Sequence, residues 1–245
     1  MLAEGSGPPV LLLHGSGPGT TAAAWTPLIA ALAPRFRVIA PDLLGFGESP
    51  RPSGSLRAAW TAQALELMDS LGHETFAVVG NSAGGAIALS LAHVRPRAVT
   101  RVVAVGSMGF GMPLPDGLDT LWAAPSAAAV AELITYLAPS DAVVAARSAA
   151  MAAQPWYREL FPAPRQRWVD DLSLSGPELE SITAPVLLVH GAQDRIVPLR
   201  DSFLGLIEAL PDARGHVFGR CGHASPLEHT DAFNRLLTTF LETDR

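Results

Sequence analysis

The stretch 76–85, Phe76-Ala77-Val78-Val79-Gly80-Asn81-Ser82-Ala83-Gly84-Gly85, constrains this chain more than any other. An apolar run breaks at Gly80, Ser82 stands between two small residues, and an Ala/Leu-rich helical pattern follows from Gly84. This is a G-x-S-x-G pattern in strand–turn–helix context. A nucleophilic serine must stand clear of the backbone at the tip of a tight turn. Glycines at 80 and 84 let strand and helix approach where a Cβ would clash. The turn also places the Ala83 N–H at a helix start, where partial positive charge favours an oxyanion. A plain strand–glycine–helix crossover with an incidental serine would look the same locally, so the remaining chain must supply a base and an acid.

The chain surrounding this stretch alternates buried strands with helices. Val10-Leu11-Leu12-Leu13 is a continuous apolar strand running into His14-Gly15-Ser16-Gly17-Pro18-Gly19. That loop lacks the lysine and spacing of a phosphate cradle, but its glycines suit a backbone that offers an N–H to a ligand. Further strands are expected at 37–40, 76–79, 102–105, 186–190 and 215–218. Helices are expected at 25–32, 56–71 (with Leu65, Met68 and Leu71 on one face), 84–93 and 231–241. Such alternation indicates an α/β fold, a doubly wound, mostly parallel sheet. Between 108 and 183 the strand-like runs stop, and helical stretches fit 126–138, 140–153 and 164–173. We therefore expect a core from 1–110 and 182–245 with a helical insertion at 111–181.

A triad can be assembled on this frame. Asp194, in Gly191-Ala192-Gln193-Asp194, follows the strand 186–190, and His223, in Cys221-Gly222-His223, follows the strand 215–218. The order Ser82, Asp194, His223 is that of serine hydrolases built on such sheets, and all three fall beyond strand ends, where ligands bind. His14 and His190 close apolar strands before glycine and are expected to satisfy backbone groups. His216 lies inside a strand and His229 at a helix start. Asp194 could instead cap the next turn.

Composition excludes several other functions. The chain has 245 residues, 17 basic and 23 acidic, a net charge of −6, and no basic block that would suit nucleic acid. Cys221 is the only cysteine, which excludes an intrachain disulfide and a cysteine-based zinc cluster. No two histidines stand at i, i+4 with an acid nearby, so no metal site is expected. No apolar run reaches the roughly 18 residues of a membrane span, and no basic-then-apolar leader opens the sequence. The expectation is a cytoplasmic protein that needs no cofactor, binds a small molecule, and engages neither nucleic acid nor membrane.

With the triad in place, the chain resembles the α/β-hydrolase superfamily over nearly its whole length. Within it the chain is similar to the meta-cleavage-product hydrolases, which cut a carbon–carbon bond in ring-opened dienoates from aromatic degradation. The resemblance rests on His14-Gly15-Ser16-Gly17-Pro18-Gly19, on Gly80-Asn81-Ser82, on Phe161-Pro162-Ala163-Pro164-Arg165-Gln166-Arg167-Trp168-Val169-Asp170 and on Val217-Phe218-Gly219-Arg220-Cys221-Gly222-His223. It implies that the insertion is a lid and that the N–H groups of Ser16 and Ala83 form the oxyanion hole. It also implies that Asn81, Gly17 and a lid arginine, best matched by Arg147, contact substrate, the arginine holding its carboxylate. Ser82, or a water it activates, would attack the carbonyl after a ketonisation helped by His223.

Three departures from the family pattern stand out. Ala224 follows the histidine where the family has Trp, and a family Asn is replaced near Trp25. The first strand is expected at Val10, without the usual leading strands, which would leave a bare edge and favour homo-oligomer formation. The first two departures leave a carboxylesterase using the same triad as the alternative. A non-catalytic receptor on this fold is a third reading, against which the intact triad argues.

Overall fold

The computed structural model describes residues 1–243. The chain runs β1 (Leu2–Glu4), β2 (Pro9–Leu13), α1 (Thr26–Leu32), β3 (Arg37–Ala40), α2 (Leu56–Ser70), β4 (Phe76–Asn81), α3 (Ala83–Val94) and β5 (Val99–Val105). Five helices follow before the next strand: α4 (Asp116–Ala123), α5 (Ala127–Ile134), α6 (Asp141–Ala152), α7 (Gln166–Leu172) and α8 (Gly176–Glu180). The chain then completes β6 (Val186–Gly191), α9 (Phe203–Ala209), β7 (Ala213–Phe218), α10 (Ser225–Glu228) and α11 (Thr230–Glu242).

The strands form one sheet in the order β1-β3-β2-β4-β5-β6-β7. Every pairing is parallel except that of β1 with β3. Strand side chains alternate between faces, and the core divides accordingly. Leu11, Leu13, Ile39, Val78, Val102 and Leu188 pack on the face that carries α2 and α3. Val10, Leu12, Val38, Val79, Val103 and Val189 pack on the other, against Ile29 and Leu32 of α1 and Phe233 and Leu237 of α11. Burial on both faces explains why these strands are continuous runs of Val, Leu and Ile. From Ala83 to Ala92 every residue of α3 is buried, which is why its sequence is almost wholly Ala, Leu, Ile and Gly.

Two expectations are corrected. The sheet does not begin at Val10: Leu2–Glu4 forms an antiparallel strand on the outer side of β3, with Leu2 opposite Ala40 and Glu4 opposite Val38. Its three residues include no buried one, so it leaves no hydrophobic signature. The bare edge from which a homo-oligomer was argued therefore lies not at β2 but at this short strand, and β2 sits inside the sheet between β3 and β4. In α2 the buried face is Leu56, Trp60, Thr61, Ala64 and Met68, while Leu71 lies beyond the helix and is exposed.

The helices α4 to α8 leave the sheet after β5 and return at β6. These helices and the segment between α6 and α7 bury Leu118, Trp122, Val130, Tyr157, Phe161 and Val169 in the same cluster as Leu13, Trp60 and Ile87. α7 and α8 lie against α2, α3 and α9, whereas α4, α5 and α6 pack in succession and reach the end of the sheet where β2, β4, β6 and β7 finish. No helix among the described residues is long and apolar enough to cross a membrane.

Candidate active site

Ser82 follows β4 directly and caps α3, with φ 56° and ψ −119°. A non-glycine residue held in this region is strained, and the surroundings that hold it there are tight. A Cβ on Gly80 would lie 2.0 Å from the Gly84 carbonyl oxygen, and one on Gly84 would lie 2.3 Å from that of Leu13. The backbone is pinned as well: Ser82 N–H donates to the Val105 carbonyl at 2.8 Å, and Met108 N–H donates to the Ser82 carbonyl at 3.1 Å. Ala83 is the first residue of α3, so its N–H has no acceptor within the helix.

The residues expected as base and acid meet. His223 Nδ1 donates to Asp194 Oδ2 at 2.7 Å, both groups being buried. This fixes the imidazole with Nε2 toward the cavity that Ser82 and His223 share. The other oxygen of Asp194 accepts from Ile196 N–H at 2.8 Å and Val197 N–H at 3.0 Å. Asp194 thus holds the His223 ring and caps its own turn with separate oxygens. His190 donates from Nε2 to the Val197 carbonyl at 2.8 Å and stands 3.3 Å from Asp194 Oδ2. Burial pushes its pKa down, so it stays neutral beside the acid. Gly106, at φ 48°, leaves room for the ring of His223, whose Nδ1 would be 3.0 Å from a Cβ there.

The loop 14–20 borders the same cavity. His14 Nε2 accepts from Leu43 N–H at 3.0 Å, so its proton is on Nδ1, which donates to the Gly15 carbonyl at 2.8 Å. Burial pushes the pKa of His14 down as well. Ser16 is buried; its hydroxyl accepts from Trp122 Nε1 at 3.2 Å and its carbonyl from the Tyr157 hydroxyl at 2.5 Å. Trp122 and Tyr157 belong to the insertion, and nothing in the sequence pattern had singled them out.

The cavity measures about 330 Å³. Gly15, Ser16, Gly17, Asn81, Ser82 and His223 form its floor, and Leu121, Val130, Ile134, Val143 and Ala150 of the insertion its roof. Ala224, one position of departure, and Trp25, near the other, also line it. Asn81 is half-buried and donates from Nδ2 to the Val105 carbonyl at 3.0 Å, leaving its Oδ1 beside the cavity. Arg147, from α6, reaches down to donate through Nη1 to the Pro18 carbonyl at 2.7 Å. Its Nε is buried without a partner among the described residues, and burial pushes its pKa down. Gly17, Asn81 and Arg147, the residues expected to contact substrate, therefore line one cavity with Ser16, Ser82 and His223. Asp194 lies behind His223, and Ala83 follows Ser82 at the start of α3. Cys221 is apart from this chemistry: its thiol is buried among Ser225 and Glu228, and burial pushes its pKa up to about 11.

Residues 8–230 match the family described as alpha/beta hydrolase fold. The chain belongs to the α/β-hydrolase family. The 2-hydroxymuconate semialdehyde hydrolase of Pseudomonas sp. strain CF600 is 41% identical to it, over 97% of this chain and 88% of that protein. The 2-hydroxy-6-oxo-2,4-heptadienoate hydrolase of Pseudomonas putida strain F1 is 39% identical, over 98% and 91%. The crystal structure of the meta-cleavage product hydrolase of Pseudomonas fluorescens IP01 superposes with a TM-score of 0.92 at 38% identity, covering 98% of this chain and 92% of that one. Among α/β-hydrolases, then, the chain stands with the meta-cleavage product hydrolases.

Proposed function

We propose that this enzyme hydrolyses a carbon–carbon bond in a 2-hydroxy-6-oxo-dienoate, with Ser82, His223 and Asp194 as its catalytic triad. The observation that carries this reading beyond a general esterase is Arg147. A half-buried arginine, its Nε shut off from solvent, stands in the roof of an otherwise largely apolar cavity that Ser82 and His223 also line. Burying a cation is costly unless an anion or hydrogen-bond acceptor meets it. Protein acceptors serve Nη1 but not Nε. A substrate carboxylate completes the pairing, and a guanidinium fork suits that planar anion. Neutral esters offer nothing for it to hold.

With the carboxylate at Arg147 and the far carbonyl over Ser82, His223 transfers the proton of the 2-hydroxyl to C5, converting dienol to ketone. The oxygen of Ser82, or of a water it activates, then adds to the C6 carbonyl. Ser16 N–H and Ala83 N–H hold the oxyanion, and Asn81 and Gly17 line the path of the chain. The C5–C6 bond breaks because the electron pair left on C5 is delocalised into the conjugated acid. Water supplies the remaining oxygen and protons, giving a 2-hydroxydienoate and a carboxylic acid. The insertion, in this reading, is the lid that shields these steps from bulk water. No cofactor enters the scheme, and we place the enzyme in the cytoplasm, where its single thiol needs no partner.

The test compares a coloured 2-hydroxy-6-oxo-dienoate with p-nitrophenyl acetate. The wild type should bleach the dienoate quickly. Arg147→Gln should lower the ratio of dienoate to ester turnover by about 10–100-fold, the worth of a charge-assisted hydrogen bond. An inert dienoate alongside rapid ester turnover would overturn the reading in favour of a carboxylesterase.

A further inference from the structure

The N–H of Ser16 can stabilise an oxyanion only if it points at the carbonyl above Ser82, and a glycine-rich loop does not hold a direction unaided. Gly15, Gly17 and Gly19 flank this residue and its neighbours, and glycine has the widest backbone freedom of any residue. Three contacts remove that freedom at Ser16. His14 Nδ1 holds the preceding carbonyl, Trp122 Nε1 holds the Ser16 hydroxyl, and the Tyr157 hydroxyl holds the Ser16 carbonyl at 2.5 Å. Only the first arises within the loop. The other two come from the insertion, more than a hundred residues away in sequence.

We propose that Tyr157 is a positioning residue of the oxyanion hole: its hydroxyl, reaching in from the helical insertion, fixes the Ser16–Gly17 peptide so that the adjoining Ser16 N–H is aimed at the reacting carbonyl. The inference rests on the oxyanion role given to Ser16 above.

The surroundings of Tyr157 fit this work. Its ring is buried between Phe46, with centroids 6.0 Å apart, and Phe161, at 5.8 Å. Phe161 in turn stacks on Trp122 at 4.6 Å with planes 3° apart, so the two donors to Ser16 form one rigid aromatic block. Phe46 also meets His14 edge-on at 5.0 Å, tying the block to the third contact. Burial raises the Tyr157 hydroxyl well above its ordinary value, so it remains a donor throughout the working pH range. Had the residue been Phe, the ring packing would survive and the Ser16 carbonyl would be left buried without this donor. Seating the insertion and readying the oxyanion hole are thereby the same event.

The variant that isolates the hydroxyl is Tyr157→Phe. Loss of a whole oxyanion donor costs about 10²–10³ in kcat, and misaiming one costs part of that. The expected loss is about tenfold in kcat, with KM within twofold, on both the dienoate and p-nitrophenyl acetate. An alkyl boronic acid, which forms a tetrahedral adduct on the serine, should bind about tenfold more weakly, while a simple carboxylate that mimics the product should bind as before. Trp122→Phe, which cuts the neighbouring contact to the Ser16 hydroxyl, should show the same split and serves if Tyr157→Phe folds poorly. Unchanged kcat with a lowered Tm would make Tyr157 a purely structural residue and overturn the proposal. Equal weakening of carboxylate and boronic acid would overturn it too, by placing the effect at Arg147. If the wild type turned over neither substrate, the hydrolase reading itself would fall, a result separate from any failure of Tyr157.

Discussion

Asp194 divides its two oxygens between two tasks, and this makes its contribution separable. Oδ1 accepts from Ile196 and Val197 N–H, and Oδ2 accepts from His223 Nδ1. An Asn at this position can keep its oxygen on the two backbone donors. Its amide nitrogen would then face His223, and a donor there forces the imidazole proton onto Nε2, where the base must be bare. Asp194→Asn should accordingly fold with an unchanged far-UV spectrum and lose about 10⁴-fold in kcat, the cost of the wrong tautomer in triads of this kind. A variant retaining a tenth of the wild-type rate would show that Asp194 acts chiefly as a turn cap. His190 stands 3.3 Å from the same Oδ2, while the hydrogen bonds from Ile196, Val197 and His223 set the carboxylate's orientation.

At the scale of elements, the decisive contact is the crossing of α3 over the ends of β2 and β4. Gly84 lies so close to β2 that any side chain meets the carbonyls of Leu13 and His14, at 2.3 and 2.6 Å from an added Cβ. Both are backbone atoms, one in the last residue of β2 and one just beyond it, and have no flexible end to give. Gly84→Ala should cost about 1–3 kcal/mol or more through overpacking and should shift Ser82 off its strained φ. A lowered Tm together with a fall in kcat checks this; a stable, fully active variant would mean that α3 can slide outward. The same crossing explains what was legible in the sequence. Strands buried on both faces are written as unbroken runs of Val and Leu, and the turn between β4 and α3 admits only small residues at fixed places, so every strand but β1, and the loops that carry Ser82, Asp194 and His223, could be read directly. The insertion was legible only as helical. Its α4 begins at Pro115-Asp116-Gly117, which reads as a turn, yet Gly117 is inside the helix because a Cβ there would lie 1.8 Å from the Arg195 carbonyl oxygen of the acid loop. Likewise Trp122 and Tyr157 reach Ser16 across sequence separations of 106 and 141 residues, and no local pattern records contacts of that kind.

Taken as a whole, the molecule has one core on the catalytic face, shared between sheet and insertion, and two buried histidines that hold the catalytic loops to that sheet. His14 anchors the loop that carries Ser16, and His190 anchors the loop that carries Asp194. Burial pushes both pKa values below the ordinary 6.5, against the smaller opposing effects of the Gly15 carbonyl and Asp42 on His14 and of Asp194 on His190. The unfolded chain takes up protons at these positions as the pH falls through about 6.5, while the folded chain does not. Below that pH the unfolded state binds more protons, so stability falls with acidification until the depressed folded-state values are passed. Each histidine contributes a slope of at most about 1.4 kcal/mol per pH unit in that window. Tm should therefore be flat from pH 8 to 7 and decline between 6.5 and 5.5, before most carboxylates titrate. Protonation of His14 also removes the acceptor for Leu43 N–H. Trp25 and Trp60 report on the sheet layers and Trp122 on the insertion, and all three are buried. Tryptophan fluorescence and far-UV circular dichroism should then give coincident melting curves at each pH. A fluorescence transition that precedes the loss of secondary structure as the pH drops would show that the insertion lets go first, and that the shared core does not bind the two parts into a single cooperative unit.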